Sequence, residues 1–248
     1  MMNTIKTDLS IWNKLELEAP PIGIKFMFEE KPQGFSQIEG KYALCELIKK
    51  AQESDEPFYK TVENEVCVGN MILGMEPWPP GAKGGQIGPK LGIFKEYRCN
   101  SRLYDDLPQL KEGTVNSVVF APLHKLEFDP DLLMVLAAPP TAEIILRAMA
   151  YSTGERYVSI AQTVIACAYL FAYPMLTGKV NFITTGLSFG MKTYRLFKPG
   201  LILLSIPYHW IPTITNNLAE IDWVLPAFEM GPDKYREYFP TLLDDQTD

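Results

Sequence analysis

Four cysteines, Cys45, Cys67, Cys99 and Cys167, are the residues of this chain best suited to chemistry. Thiolates are soft ligands, and four of them are the common complement of an iron–sulfur cubane. Their separations are 22, 32 and 68 residues. None forms the close Cys-x2-4-Cys pair that marks most zinc sites, so a metal held by all four must be assembled by tertiary folding. The leading expectation is a protein that binds an iron–sulfur cluster or another thiolate-held metal cofactor, with a redox or cofactor-handling role. Cys67 precedes Val68-Gly69, a glycine turn leading into Met71-Ile72-Leu73, which reads as the start of a short helix. Backbone amides at such a junction lower a thiol's pKa and ready it for ligation or attack.

Other side chains extend this chemistry. Lys25, alone in an apolar strand, and Arg98 and Arg102, four apart on one helical face, can offset the charge of a cluster or hold a small anionic ligand or redox partner. Gly69 and Thr141 stand at helix starts, where free amides meet anions. An alternative makes Cys67 the nucleophile of a cysteine-dependent enzyme on a small acidic or acyl substrate, with His124 or His209 as base. A third reading is a non-enzymatic small-molecule binding module, its apolar pocket bordered by Tyr97, Tyr151, Tyr208 or Trp210. Residues 76–92, rich in glycine and proline, read as a lid or a cofactor-flanking loop. They contain neither a P-loop nor a dinucleotide fingerprint.

Composition narrows the classes. A formal charge of -7 and a pI near 5.0 argue against a general nucleic-acid binder. The apolar windows 160–173 and 201–207 are too short for a membrane span of roughly 20 residues. The first ten residues lack a signal peptide's apolar core. A cytoplasmic protein with reduced thiols is expected.

These residues need elements to hold them. Residues 117–121 and 132–138 are short, β-rich and almost uncharged, as in strands covered on both faces. Pro139-Pro140-Thr141 then opens a helix directly at a strand end, where proline is tolerated. Its N-terminus is expected to face a cleft. Further strands are expected at 22–28, 58–68, 180–186 and 201–207. Helices are expected at 42–54, 160–173 and 208–219. With 47% hydrophobic residues, the chain supports an α+β fold with α/β character: a single domain over 20–240 with a mixed β-sheet and packed helices. Residues 1–19 are expected to add an amphipathic helix, and 241–248 an acidic tail.

Several turns together resemble a known family. They are Pro20-Pro21-Ile22-Gly23-Ile24-Lys25-Phe26, Cys45-Glu46, Cys67-Val68-Gly69 with Leu73-Gly74, and Val119-Phe120-Ala121-Pro122-Leu123. Pro140 and Ala142, Cys167 with Pro174 and Gly178, Gly186 with Gly190, and Ile206-Pro207 continue the pattern. In these the chain resembles the prokaryotic family called domain of unknown function 169, over roughly residues 20–218. The resemblance implies an intracellular bacterial or archaeal protein and supplies no activity. It groups Cys45, Cys67 and Cys167, all in motif-bearing segments, and leaves Cys99 the least anchored. The family commonly has a second glycine where this chain has Asn70.

Overall fold

The computed structural model of the chain describes residues 6–244. The expected elements at 1–5 and the end of the acidic tail at 245–248 lie outside them. Seven strands form one sheet: β1 (Ile22–Met27), β2 (Ser36–Gln37), β3 (Phe58–Lys60), β4 (Ser117–Pro122), β5 (Leu132–Ala137), β6 (Asn181–Thr184) and β7 (Ile202–Pro207). Their spatial order is β2-β3-β4-β1-β5-β7-β6. Every pairing is antiparallel except β2 with β3, so the sheet is mixed, as the sequence implied. Among the described residues ten helices accompany it: α1 (Leu44–Glu53), α2 (Gly69–Ile72), α3 (Ile87–Lys90), α4 (Tyr97–Ser101), α5 (Pro139–Tyr151), α6 (Tyr173–Thr177), α7 (Phe189–Thr193), α8 (Trp210–Glu220), α9 (Pro226–Met230) and α10 (Pro232–Asp244).

Because successive strand residues point to opposite faces, the central strands divide their side chains between two cores. Val119, Ala121, Leu133, Val135, Leu204 and Ile206 pack with Ala142, Ile145 and Met149 of α5 and Ile211, Ile214 and Leu218 of α8. Val118, Phe120, Leu132, Met134 and Leu203 face the other way, onto Leu44, Leu47 and Ile48 of α1 and Leu170 and Phe171. The result is a single mixed α/β domain of three layers. A smaller cluster of Ile72, Leu103, Leu107 and Tyr169 lies beside the α1 layer.

Three expectations are corrected. Residues 6–19 hold one 3-10 turn, Ser10–Lys14, rather than a longer helix, although Leu9, Trp12 and Leu15 are buried as the spacing requires. Strand pairing in 58–68 stops after Lys60, where a 3-10 turn, Val62–Asn64, takes over. Residues 160–165 are not helical. Asn181 grips this segment from the sheet edge, its amide accepting from Ile160 N and donating to Ile160 O. Helix therefore starts only at residue 166, with a π-helical stretch at Ala168–Ala172 before α6. Asn181 and Ser205 donate to the carbonyls of Tyr169 and Leu170. Those sheet side chains satisfy backbone groups that π geometry displaces from the ordinary α-helical ladder.

Candidate functional site

Three of the four cysteines converge. Cys45, Cys67 and Cys167 line one cavity of about 200 Å³ on the α1 side of the sheet. Cys45 lies in the first turn of α1, Cys67 two residues before α2, and Cys167 in the first turn of the helical run from 166. Cys99 is exposed on α4 and does not line the cavity; the next residue, Asn100, does. Among the described residues, no three His, Cys, Asp or Glu side chains stand in an arrangement ready to hold a metal ion.

The segments carrying the thiols are stitched together locally. Tyr42 bridges to Glu65, and Tyr42 N donates to Asn64 O at 2.8 Å, joining the approach to α1 to the approach to Cys67. Phe189 N donates to Thr163 O at 2.8 Å, joining α7 to the strand-like approach to Cys167. Ile165 has φ 56°, a left-handed conformation that is strained for a β-branched residue. It lines the cavity two residues before Cys167. Strain held at such a place is characteristic of functional sites.

Beneath Cys67 lies a buried ion pair. Lys60 Nζ sits 3.0 Å from Glu65 Oε2, with the two side chains 0% and 1% exposed. Asn70 Oδ1 accepts a second bond from Lys60, and Asn70 Nδ2 donates to Val62 O. Glu65 Oε1 accepts from Cys67 N at 3.1 Å, so the pair holds the thiol-bearing backbone directly. Burial lowers the Lys60 pKa and raises that of Glu65, while their attraction pulls each back toward its charged form. Gly69 is required here by close approach. A Cβ there would lie 2.5 Å from Glu65 Oε2 and 2.6 Å from Leu44 Cγ. Asn70 uses its side chain to complete this network.

The thiols are electrically similar. Burial pushes Cys45 up to about 12, with Cys67 and Glu46 adding to the effect. Cys167 is raised well above an ordinary thiol, first by burial and then by Cys67, Glu65 and Cys45. Cys67 is raised by burial, opposed by a hydrogen bond from Val68 N. Protein atoms crowd each sulfur even where the residue remains reachable through the cavity, so burial decides the direction. All three are neutral thiols at pH 7. The expected low pKa at Cys67 is therefore reversed by its burial.

The remaining candidates stand elsewhere. Lys25 pairs with Asp131 at 2.8 Å, and the other carboxylate oxygen accepts from Phe26 N, an arrangement that fastens β1 to the start of β5. Arg98 pairs with Glu96, and Arg102 is exposed on the following 3-10 turn. Thr141 donates to Glu16 O rather than capping α5, whose core lies on the opposite face of the sheet from α1. His124 and His209 are exposed, and neither lines the cavity. The glycine-rich loop, by contrast, supplies Ile87, Gly88 and Leu91 to the cavity wall, with Ile93 joining them from just beyond the loop. Sequence reasoning missed Lys60, Glu65 and Asn100. Lys60 carried a usable signal, because a lysine in a short apolar strand must find a partner if it is buried.

Residues 10–217 match the family of domain of unknown function 169, DUF169, described as "Uncharacterised ArCR". An uncharacterized protein of Methanocaldococcus jannaschii, MJ0308, is 28% identical over 198 residues, covering 77% of this chain and 83% of the relative. No solved structure matches the chain. Among the described residues no helix is long and apolar enough to cross a membrane.

Proposed function

The chain belongs to the DUF169 family, and from that premise we propose that its cavity holds an iron–sulfur cluster or another soft, thiolate-held metal, ligated by Cys45, Cys67 and Cys167. The observation that carries the reading is the convergence of these three cysteines, from segments up to 122 residues apart in sequence, on one cavity. Three protein thiolates leave one coordination position for a ligand from outside the chain, which suits a redox or cofactor-handling role. Loading requires the three thiols to lose their protons and close on the metal, so uptake releases protons. Cys99 has no part in this site. A cysteine–histidine dyad draws no support from two histidines that stand away from the cavity.

Anaerobic reconstitution with ferrous iron and sulfide, and separately with zinc or copper(I), tests the proposal. Stoichiometric metal is expected in the wild type and in Cys99→Ser. Cys45→Ser, Cys67→Ser and Cys167→Ser are each expected to lose it while remaining folded by circular dichroism. A folded wild type that takes up no stoichiometric metal under any of these conditions overturns the reading, as does full retention in Cys45→Ser.

A further inference from the structure

The wall of the thiol cavity contains a polar group without a protein partner. Asn100 lines the cavity, is only 3% exposed, and makes no side-chain hydrogen bond among the described residues. An amide carries two donor hydrogens and an acceptor oxygen, and here they are left to whatever occupies the cavity. The surroundings nevertheless press the amide into place. A Cβ on Gly88 would lie 2.8 Å from Asn100 Cγ and 2.9 Å from Oδ1, so the glycine-rich loop packs this tightly over Asn100 only with glycine at that position. Gly85, at φ 80°, comes equally close: a Cβ there would meet Tyr97 O at 2.2 Å and Ser101 N at 2.6 Å. Loop and α4 thus pack backbone to backbone, and they fix which residue of α4 faces inward.

The rest of the wall defines what the amide can meet. No charged side chain lines the cavity among the described residues, while Ile87, Leu91, Leu103, Ile165 and Phe189 make it largely apolar. Ser188 Oγ is already engaged, accepting from Met191 N. An ionised carboxylate or phosphate would be stripped of water there with no cation to receive it. A cavity of about 150 Å³ holds a benzene-sized molecule, so about 200 Å³ suits a neutral molecule slightly larger.

We propose that the cavity binds a small, neutral, mostly apolar molecule with a single polar group of the ketone, amide or alcohol class, and that Asn100 orients it by hydrogen bonding that group. The body of the domain supplies the thiols and the loop with α4 supplies the amide. The inference concerns the same cavity as the metal reading but does not depend on a metal being present.

The test uses reduced, metal-free, full-length protein and fluorine NMR titration with two probes of one shape. These are 4′-fluoroacetophenone and 4-fluoro-α-methylstyrene, in which a methylene replaces the ketone oxygen. In the wild type the ketone is expected to bind and to slow alkylation of Cys45 and Cys167 but not Cys99. Asn100→Leu is expected to weaken the ketone about five- to tenfold and leave the styrene unchanged or tighter. Asn100→Ala removes the amide without adding a charge, and it should weaken the ketone similarly if the leucine variant does not fold. Absence of ketone binding to the wild type overturns the proposal, as does equal weakening of both probes in the variants. Ketone binding by a protein that fails to load metal refutes the metal reading alone. Metal loading with no ketone binding refutes this one alone.

Discussion

Removing the ammonium of Lys60 should cost a large share of the fold's stability, and the size of the loss can be worked from the geometry. Lys60→Met keeps most of the buried stem and deletes only the charge. The pair it breaks is 3.0 Å long and cut off from solvent at both ends. At an effective dielectric of about 20, opposite unit charges at that distance attract by about 5–6 kcal/mol. Part of this is offset because an ammonium no longer has to be desolvated, but Glu65 is left buried with the Cys67 amide as its remaining donor. Breaking a buried pair in this way costs about 3–5 kcal/mol. Against a total of about 5–15 kcal/mol for a typical domain, that is a fifth or more of the stability. The melting temperature should fall by about 6–20 °C. Urea denaturation followed by circular dichroism and tryptophan fluorescence measures the loss. Cys67 should also become more reactive to alkylation, because the carboxylate that anchors its amide loses its own anchor. The double variant Lys60→Met/Glu65→Leu should recover much of the stability, since no unpaired charge remains. A loss below about 1 kcal/mol in the single variant, or a double variant no better than the single, would refute the assignment of this pair as the support of the Cys67 segment.

Two further outcomes follow from the same cavity. In the metal-free protein at pH 8, iodoacetamide should modify Cys99 first and Cys45 and Cys167 slowest, because only thiolates react and burial holds Cys45 near 12 and Cys167 well above an ordinary thiol. Raising the pH increases the thiolate fraction, so the Cys45 rate, read by mass spectrometry, should climb about tenfold per pH unit up to the limit of the fold; a plateau by pH 9 contradicts this. Gly190→Ala adds a methyl group 3.9 Å from Cys45 Sγ, an ordinary contact, within α7. Stability should rise by about 0.5–1 kcal/mol from the loss of glycine's freedom, while Cys45 alkylation slows. Destabilisation by more than about 1 kcal/mol would show that the space beside Cys45 is not open as described.

Much of the fold was legible because its signals are local. The uncharged runs at 117–122 and 132–137 could be read as doubly covered strands, and Pro139-Pro140 marked the start of α5. The segment at 160–165 was misread because its apolar spacing favours helix, whereas the amide of Asn181, distant in sequence, competes for its backbone. No periodicity within a segment can report such a competitor. The start of α1 and the glycine turn at Cys67 were also legible, and with them the grouping of Cys45, Cys67 and Cys167 by the motifs around them.

By itself, then, the sequence determined the mixed α/β architecture, the strand and helix cores, and the position of Cys45 and Cys67 at element starts. Only the tertiary structure decided that three of them meet while Cys99 points to solvent and its neighbour Asn100 points in. That choice depends on how Gly85 and Gly88 pack the loop against α4. It also decided the state of the thiols. A helix start favours the thiolate, but crowding by surrounding protein is set by long-range packing, and here it outweighs the local effect.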